Sequence, residues 1–442
     1  MDLRILESGT FPETGCRSRS CPTSDDAFLP QAIRRRIADH PCYSDAAHHR
    51  FARMHLAVAP ACNIQCNYCN RKFDCVNESR PGVVSEVLRP DEAVRKARAV
   101  AARIPNLSVV GIAGPGDPLA NPARTFDSLR RIKEALPHVR LCLSTNGLML
   151  ASHADTIAAL GIEHVTITIN AIDPGIGARI YPWVIWEGRR IGGREGAEIL
   201  IREQLRGLKA LAARGSLVKI NSVLIPGVND DHLPLVSREI RSRGAFLHNV
   251  MPLISRPEHG TAFGLSGQRE PSGADLHTVQ EACGVDMRLM RHCRRCRADA
   301  VGLLTEDRSQ EFTMDKVAAM EAPVLIAVAS RDGRLVDQHF GHAQTFHLYE
   351  LDESGARPVG RREVPAYCAG PADCDDEDGR VERTLAALSG CAAVLCARIG
   401  REPRQCLEAA GIRPITDQAW QLLDEALAAV GRTLAERNGE PA

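Results

Sequence analysis

Three cysteines, Cys62, Cys66 and Cys69, constrain this chain most, because they share one short loop with the spacing CxxxCxxC. Three thiolates on one loop can each bind one iron of a 4Fe–4S cube, which leaves the fourth iron without a protein ligand. A structural zinc site is the alternative, but such sites usually pair a CxxC unit with a second, distant pair of ligands. The spacing therefore predicts an iron–sulfur cluster with one iron open to a small molecule.

The open iron indicates which small molecule binds. The amino and carboxylate groups of S-adenosylmethionine (SAM) can chelate it together, and an electron from the cluster can then enter the sulfonium. Tyr68 precedes the third cysteine and is expected to present its aromatic edge near the adenine. This loop, placed directly after an apolar run, resembles the signature of radical SAM enzymes, which predicts radical chemistry.

The remaining composition favours a cytoplasmic globular protein. A chain of 442 residues allows two or three domains. Its 55 basic and 55 acidic residues balance, so neither a nucleic-acid partner nor an anionic membrane is expected. The N-terminus lacks the features of a signal peptide, and no apolar run reaches membrane-spanning length. The 16 cysteines therefore favour metal binding or catalysis over disulfide bonds.

Strand and helix patterns alternate from residue 54 onward, after residues 1–35, which are polar and aperiodic and predict a flexible N-terminal arm. The alternation is typical of parallel βα units and predicts an α/β fold, a partial or complete (β/α) barrel over 36–305. The predicted strands are 54–59, 107–113, 139–144, 164–170, 217–224 and 246–251, and the predicted helices are 91–104, 123–136, 152–160, 196–214 and 231–242.

The pattern changes after residue 305. Residues 306–322 are predicted to be a charged, helix-like linker, and residues 323–435 are long enough for a small α/β domain. Its predicted strands are 324–329, 345–351 and 391–396, its predicted helices are 381–388, 401–410 and 417–430, and its acidic insert 368–378 is predicted to be a loop. His339 and His342 are candidate contacts for a cluster, although a turn that packs a histidine against the sheet explains them equally well.

Small and polar residues follow several predicted strands, at the carboxyl ends where barrel enzymes gather their chemistry. Each such turn alone is explained as an ordinary βα connection, but their recurrence favours a shared SAM pocket. Glycine permits close backbone approach, and hydroxyl and amide groups can hydrogen-bond a nucleoside. The candidate cofactor-binding residues are Tyr68, Gly114, Gly116, Asp117, Ser144, Asn146 and Asn170.

A second set of thiols, Cys283, Cys293 and Cys296, lies near the end of the predicted barrel. The close pair Cys293 and Cys296 is compatible with a zinc site. A 4Fe–4S cluster is the alternative, because many radical SAM enzymes carry an auxiliary cluster after the barrel. The spacing leaves both open.

A third, dispersed set of metal-ligand candidates comprises His40, Cys42, Cys75 and Cys142. Taken alone, Cys142 is explained as a core thiol and Cys75 as a loop cysteine. We expect all four to flank the same end of the barrel as Cys62, and mixed ligation suits a cluster that must later release its iron. Glu78 is a candidate catalytic proton shuttle, with a solvated loop carboxylate as the alternative.

These residues together resemble the NifB family, the radical SAM proteins of nitrogenase cofactor biosynthesis. The resemblance rests on the runs at 40–50, 54–82, 113–121, 144–147, 225–230 and 292–302 and covers residues 36–305. Residues 323–435 are similar to the small ribonuclease H-like cofactor-binding domains that also occur as free carrier proteins. One departure is the run Ala-Gly-Pro-Gly-Asp-Pro at 113–118, where many radical SAM enzymes have a Gly-Gly-Glu-like turn. In this chain, Asp117 or backbone carbonyls would therefore have to bind the SAM amino group in place of that turn.

The resemblance implies a specific reaction. Two 4Fe–4S units are fused with a carbide carbon from a SAM methyl group and with an added sulfur into the eight-iron precursor of the iron–molybdenum cofactor. It implies three 4Fe–4S clusters, one catalytic and two that serve as substrate, and makes iron–sulfur the expected occupant of the Cys283 set. It also implies cluster-supplying scaffold proteins, downstream cofactor carriers and an electron donor such as ferredoxin or flavodoxin.

Two other functions fit part of the pattern. A molybdopterin-precursor cyclase type of enzyme predicts a basic pocket for a nucleoside triphosphate and no dispersed His40 set. A non-catalytic cluster carrier needs neither a SAM-chelating loop nor polar strand ends. Both fail to explain enough thiolates for three clusters on one chain.

Overall fold

The computed structural model describes residues 29–70, 86–285, 287–291, 298–352, 355–364 and 377–437. Within them the chain forms two α/β units, each built around its own sheet. Of the predicted N-terminal arm, the part up to residue 28 lies outside the described residues, and residues 31–35 form most of the first helix. Within the described residues, none of the helices has the length and apolar character needed to cross a bilayer.

Within the described residues, the first unit contains ten strands and ten α-helices. Its strands are β1 (Ala52–His55), β2 (Ile64–Gln65), β3 (Leu107–Ile112), β4 (Arg140–Thr145), β5 (His164–Thr168), β6 (Trp183–Trp186), β7 (Arg189–Gly192), β8 (Leu217–Leu224), β9 (Leu247–Pro252) and β10 (Val301–Gly302). Its helices are α1 (Gln31–Ile37), α2 (Pro90–Arg103), α3 (Pro122–Ala135), α4 (Leu150–Ala159), α5 (Pro174–Ile180), α6 (Gly193–Ala213), α7 (Leu233–Ser242), α8 (Ala262–Leu265), α9 (Gly273–Gly284) and α10 (Met314–Glu321).

Six of these strands form an open, parallel half-barrel. The order in the sheet is β10-β1-β3-β4-β5-β8-β9, and only β10 runs antiparallel to its neighbour. All six predicted strands exist, within a few residues of their predicted ends, and the partial barrel is confirmed. Apolar side chains on one face pack under the helices, whereas the alternating residues point to the interior of the barrel.

A small second sheet in this unit was not predicted. Strands β2, β6 and β7 pair antiparallel, and β6 and β7 are joined by Glu187 and Gly188, both at positive φ. Two such residues between two short strands form the tight turn that hairpins favour. Ile64 of the cysteine loop pairs with Val184, so this hairpin anchors the loop that carries the three cysteines.

The segment predicted as a linker packs against the half-barrel. Helix α10 lies beside α2, where Arg95 pairs with Glu321. Phe312 and Val317 are fully buried in the barrel core. The predicted helical character is therefore present, and its apolar face belongs to the first unit.

The second unit is a five-stranded mixed sheet with helices on both faces, which confirms the ribonuclease H-like prediction. Its elements are β11 (Val324–Ala329), β12 (Thr345–Asp352), β13 (Gly355–Glu363), α11 (Glu377–Ala387), β14 (Ala393–Leu395), α12 (Arg401–Ala409), β15 (Arg413–Ile415) and α13 (Leu423–Arg437). The order β13-β12-β11-β14-β15 has antiparallel pairs on one side of β11 and parallel pairs on the other. Strands β13 and β15 were not predicted, and α13 begins six residues later than expected. Helix α11 takes in the end of the acidic insert that was predicted to be a loop.

Candidate metal centre

The turn after β3 holds the cysteine loop in place at the carboxyl ends of the strands. The amide of Ala59 donates to the Gly114 carbonyl at 3.1 Å, and the Gly116 amide donates back to the Ala59 carbonyl at 2.6 Å. The amide of Asp117 donates to the Ala61 carbonyl at 2.8 Å, immediately before the first cysteine. The backbone of one turn thus fixes the start of the metal-binding loop.

Gly116 is required by this close approach. A Cβ atom there would lie 2.2 Å from the carbonyl oxygen of Ala61, a distance that no relaxed contact has. At Gly114 a Cβ would meet the Cβ of Ala298 at 3.2 Å. Both glycines therefore serve backbone packing, and their contact with SAM stays a prediction.

The three thiols lie close together. Cys66 is buried, while Cys62 and Cys69 are half-buried. Burial raises the pKa of the Cys66 thiol, and the neighbouring thiols of Cys69 and Cys62 raise it further. Gln65 Nε2 donates to the carbonyls of Cys66 at 3.0 Å and Cys69 at 2.8 Å, which holds the loop backbone.

Three cysteine thiols on one loop form a donor set that suits an iron–sulfur cluster. Among the described residues, no three His, Cys, Asp or Glu side chains converge on one metal ion. Thiolates that bind different irons of a cube need not converge, and positive irons would offset the repulsion between them. The loop is therefore suited to a 4Fe–4S cluster.

Asp117 joins the ends of β3 and β4. Its carboxylate accepts hydrogen bonds from the Leu119 amide at 2.9 Å, the Thr145 hydroxyl at 2.9 Å and the Asn146 amide at 2.6 Å. Burial raises the pKa of this carboxyl, and the hydrogen bonds oppose the rise. Both oxygens are already hydrogen-bonded, so the predicted contact with the SAM amino group stays a prediction.

Asn146 reaches the metal loop through its side chain. Its Nδ2 atom lies 2.7 Å from Asn63 Oδ1 and 3.8 Å from the Cys62 sulfur. Its backbone carbonyl accepts from Gln204 Nε2 at 2.7 Å. The end of β4 is therefore held close to Cys62, the first cysteine of the loop.

Tyr68 and Asn170 connect the loop to β5 and β8. Tyr68 is fully buried, and its hydroxyl accepts from Asn170 Nδ2 at 2.8 Å. The Asn170 side-chain oxygen accepts from the Val223 amide at 2.8 Å. Both groups of the Asn170 amide are therefore used within the protein, and adenine contacts by these residues stay predictions.

The interior of the half-barrel carries buried polar atoms without partners. Within the described part of the chain, Ser144 Oγ, Thr168 Oγ1 and Asn249 Oδ1 make no hydrogen bond. They alternate with residues of the helix-facing core, which places them on the inner face. An unpaired buried polar group costs about 1–3 kcal/mol, so such groups call for a ligand or ordered water. These polar atoms are available to bind a polar molecule such as SAM.

The dispersed set does not lie where the sequence analysis expects it. Cys142 is the third of six residues in β4 and pairs in register with Gly111 and His164, so it is an interior residue and not a strand end. The turn that carries His40 and Cys42 packs at the start of β8, where the Tyr43 hydroxyl donates to a strand carbonyl at 3.0 Å.

The expectation that this set flanks the same end as Cys62 is therefore wrong for its described members. Asn146, which reaches Cys62, lies four residues beyond Cys142, roughly 13 Å at about 3.3 Å per residue. Strand β4 continues from Cys142 to Thr145. The cysteine loop that Asn146 contacts therefore lies beyond the end of the strand, away from Cys142. Cys75 and Glu78 lie outside the described residues, so their ligand and catalytic roles stay predictions.

Cys283 is the second-last residue of α9, and its side chain lies in the barrel core. Burial raises the pKa of this thiol to about 11, opposed by a hydrogen bond with Ser237. The Ser237 hydroxyl also donates to the Cys283 carbonyl at 3.2 Å. Cys293 and Cys296 lie outside the described residues, so the assembly of this set stays a prediction.

In the second unit, His339 and His342 face each other with ring centroids 5.0 Å apart. The segment Phe340–His342 is a short 3-10 turn, and His339 Nδ1 accepts from the Gly341 amide at 3.0 Å. Burial, with help from His342 and Arg398, lowers the pKa of His339. The pair therefore lies in a turn, as one of the two interpretations expects, and cluster contact stays a prediction.

Sequence reasoning missed one residue of the barrel interior, His164. Its ring lies 4.3 Å from the ring of His40, centroid to centroid. The signal was available in the run His-Val-Thr-Ile-Thr-Ile-Asn at 164–170, whose strict alternation places polar residues on one face of the strand.

Comparison with known proteins agrees with this geometry. Residues 56–239 match the family described as the Radical SAM superfamily, and residues 322–433 match the family described as Dinitrogenase iron-molybdenum cofactor. Two solved structures overlap the fold at low similarity: Streptococcus suis SuiB bound to S-adenosylmethionine and methylornithine synthase (PylB). The first has 14% identity and a TM-score of 0.40 over 59% of this chain and 53% of its own. The second has 17% identity and a TM-score of 0.36 over 58% and 68%. The half-barrel with its three-cysteine loop is that of a radical SAM enzyme, a class that uses a 4Fe–4S cluster and SAM.

Full-length relatives define the family. The chain is 50% identical to the FeMo cofactor biosynthesis protein NifB of Azotobacter vinelandii, over 99% of this chain and 97% of that protein. It is 51% identical to the protein of the same name from Klebsiella pneumoniae, over 94% and 96%. The chain belongs to the NifB family of FeMo cofactor biosynthesis proteins.

Proposed function

We propose that this protein fuses two 4Fe–4S units, bound as substrates, with a SAM-derived carbide and an added sulfur into the eight-iron precursor of the FeMo cofactor. The observation that supports the proposal is that two groups of cysteine and histidine side chains lie along one polar interior. The loop with Cys62 closes the carboxyl end of the half-barrel, and His40 with Cys142 lies deeper, toward the amino ends of the strands. A substrate held at Cys142 faces the same interior as a nucleoside held near Cys62.

The residues at the carboxyl end have distinct roles in this proposal. Cys62, Cys66 and Cys69 hold the resident cluster. When that cluster and SAM are bound, they supply the 5′-deoxyadenosyl radical. Gln65 fixes the loop backbone through the Cys66 and Cys69 carbonyls. Asn146 orients the loop beside the Cys62 sulfur.

The interior provides the binding groups for the rest of SAM. Ser144 and Thr168 have unpaired buried hydroxyls, which suit the ribose and the amino acid portion of SAM. The apolar residues that alternate with them turn toward the helices, so the wall behind these hydroxyls excludes water. This arrangement protects a radical from solvent during hydrogen abstraction.

Two molecules of SAM are consumed for each carbide. One gives its methyl group to a substrate cluster and leaves S-adenosylhomocysteine. The other takes one electron from the reductant and is cleaved to methionine, and its adenosyl fragment takes a hydrogen atom from the transferred methyl group and leaves as 5′-deoxyadenosine. The two remaining hydrogens of that carbon leave as protons to water, so their bonding electrons stay on the carbon that becomes the carbide. The second substrate unit is assigned to Cys283, Cys293 and Cys296, and three 4Fe–4S clusters are present in all.

Other proteins supply and receive the clusters in this proposal. A scaffold protein delivers the 4Fe–4S units, ferredoxin or flavodoxin provides electrons, and carrier proteins take the product. The second unit receives or retains the finished cluster. The reaction requires reduced thiols, so the protein works in the cytoplasm.

The test is anaerobic reconstitution followed by incubation with SAM and a reductant. We expect both 5′-deoxyadenosine and S-adenosylhomocysteine, in amounts of the same order, together with an eight-iron product. Formation of 5′-deoxyadenosine alone would contradict carbide insertion. Cys283→Ala is expected to abolish S-adenosylhomocysteine formation while some 5′-deoxyadenosine remains. Cys406→Ala, on α12 of the second unit, is the matched control and should leave both products unchanged.

A further inference from the structure

Lys219 lies on the inner face of β8, in the middle of the half-barrel. Its neighbours Val218 and Ile220 belong to the helix-facing core, so the Lys219 side chain points to the interior. The strand register places it beside Thr166 of β5, which pairs in turn with Ser144 of β4. These three residues form one row across the inner face. In the described part of the chain, the Ser144 hydroxyl of this row has no hydrogen-bond partner.

The row of Lys219 lies next to the dispersed set of metal-ligand candidates. Cys142 precedes Ser144 by two residues on β4, toward the amino end of the strand. Leu217 precedes Lys219 by two residues on β8 and packs with Cys42 in one apolar cluster. Two residues of a strand span about 6.6 Å, which the long side chain of a lysine can cover. A cluster held by Cys42 and Cys142 would therefore lie within reach of the Lys219 ammonium.

Lys219 brings a positive charge into this interior. Its side chain is buried, with only 7% of the residue exposed. Burial lowers the pKa of His40, and the neighbouring ring of His164 and the ammonium of Lys219 lower it further. The charge of Lys219 is therefore felt at the dispersed set. Burying a cation is costly unless anions or hydrogen-bond acceptors replace the water around it. The position suits a ligand that carries negative charge.

A thiolate-bound iron–sulfur cluster is a ligand of this kind. Each cysteine thiolate contributes a negative charge, and the inorganic sulfides accept hydrogen bonds. Nearby charges and hydrogen bonds to the sulfurs both shift the reduction potential of a cluster. An ammonium supplies both, with three donors on a flexible chain. Lys219 can therefore contact a cluster without displacing a ligand from any iron.

We infer that Lys219 is a binding residue for the substrate cluster of the dispersed set, and that its ammonium donates a hydrogen bond to a sulfur of that cluster. This inference rests on the proposed function, because it assumes that the dispersed set holds a cluster. Lys219 lies nearer the carboxyl ends of the strands than Cys142, so it contacts the side of the cluster that faces the Cys62 loop. A charge contact restrains the cluster without a bond to iron, which suits a unit that must leave the site.

The experiment isolates this cluster in the full chain. Alanine replaces the cysteines of the other two sets, and this parent is reconstituted anaerobically with iron and sulfide. The replaced residues are Cys62, Cys66, Cys69, Cys283, Cys293 and Cys296. Iron analysis gives the occupancy of the remaining site, and a redox titration followed by EPR gives the midpoint potential of its cluster.

The expected result is a change in potential that follows the charge at residue 219. Loss of a nearby positive charge disfavours the reduced state of the cluster, because that state is the more negative one. We expect Lys219→Met to make the reduction equilibrium roughly tenfold less favourable, which is a shift of about 59 mV to more negative potential. Lys219→Arg keeps the charge and should stay near the parental potential.

Two controls separate the charge from packing. Lys209→Met makes the same substitution at an exposed position of α6 and should leave the potential unchanged. Urea unfolding of metal-free Lys219→Met should show at least the parental stability, because this variant no longer buries an ammonium. A lysine that serves only a structural ion pair predicts the opposite pattern, a less stable metal-free protein with an unchanged potential.

The remaining outcomes each decide the inference. Loss of iron from a folded Lys219→Met protein, with iron retained in Lys219→Arg, supports it. If Lys219→Met does not fold, Lys219→Gln is the neutral variant. Parental iron content and parental potential in the neutral variant overturn the inference and leave the dispersed set as a cluster site. A parent that binds no iron, or whose iron is unchanged by Cys142→Ala, shows that the proposed site itself fails and the inference with it.

Discussion

At the scale of single residues, His248 couples the stability of the half-barrel to pH. Burial lowers the pKa of this ring to about 3, against about 6.5 in an unfolded chain. Between these values the unfolded state binds more protons, so stability falls as the pH falls. We expect the metal-free protein to lose about 1.4 kcal/mol of unfolding free energy from this residue between pH 7.5 and 5.5.

Urea unfolding at the two pH values measures this effect. The comparison is between the parent and His248→Gln, because the difference between their pH dependences isolates the one group. His277→Gln, at an exposed position of α9, serves as the control. The same pH dependence in the parent and in His248→Gln would show that the pKa of this ring does not differ between the folded and unfolded states.

Gly116 is the second residue-scale case. Replacing it with alanine puts a Cβ 2.2 Å from the Ala61 carbonyl, so the turn or the cysteine loop must move. We expect Gly116→Ala to lose most of the iron bound at Cys62, Cys66 and Cys69, measured as the SAM-dependent change in the EPR spectrum. Gly273→Ala, where the new Cβ meets nothing within 4 Å, is the control and should retain the spectrum.

At the scale of elements, Asp117 joins β3, β4 and the metal loop. Asp117→Asn keeps the size but replaces one carboxylate oxygen with an NH₂ group, which then faces the backbone N–H of either Leu119 or Asn146. Hydrogen bonds to a charged acceptor contribute about 1.5–3 kcal/mol each, so we expect a loss of at least about 2 kcal/mol in unfolding free energy. The position of Asn146 beside Cys62 should also loosen, which weakens SAM binding.

Denaturant unfolding and SAM titration together check this prediction. Asp155→Asn is the matched control, since Asp155 lies on the surface of α4 and pairs with Arg214. An Asp117→Asn protein with parental stability and parental SAM affinity would contradict the role of this carboxylate in joining the strand ends.

The sequence predicts these elements unevenly, for physical reasons. The sequence predicts the buried parallel strands because β-branched runs alternate with amphipathic helices. This pattern depends only on residues that are close together along the chain. The hairpin of β6 and β7, which pairs with Ile64, was not predicted. Its Glu-Gly turn and the tryptophans of β6 are nevertheless local features of the sequence that indicate a hairpin. Cys142 was placed at a strand end because a sequence pattern fixes strand bounds only within a few residues. His164 was missed because its meeting with His40 depends on the register between neighbouring strands.

At the scale of the whole molecule, the half-barrel separates two chemical environments along one interior. Its carboxyl end holds three thiols on one loop, and the opposite region combines imidazoles, a phenol and two thiols. Ser144 lies between them with an unpaired hydroxyl. In the proposed function, the separation between these two ends of the half-barrel keeps the cluster that cleaves SAM apart from a cluster that is consumed as substrate.

The boundary between the two units provides the last prediction. A chain that ends at residue 322 keeps α10 on α2, with Phe312 and Val317 in the core. A chain that ends at residue 305 lacks α10 and both of these buried side chains. Deleting a buried phenylalanine side chain costs about 3–5 kcal/mol, so the shorter fragment should be much less stable than the longer one.

Urea unfolding of the two fragments and of full-length Phe312→Ala measures this difference. We expect fragment 1–322 to unfold near the midpoint of the barrel in the full chain and, after reconstitution, to form 5′-deoxyadenosine from SAM. The Phe312→Ala protein should lie between the two fragments in stability, because it removes one of the two buried side chains. Equal midpoints for fragments 1–305 and 1–322 would show that this helix contributes nothing to the barrel. The segment would then act as the simple linker that its charged sequence suggests.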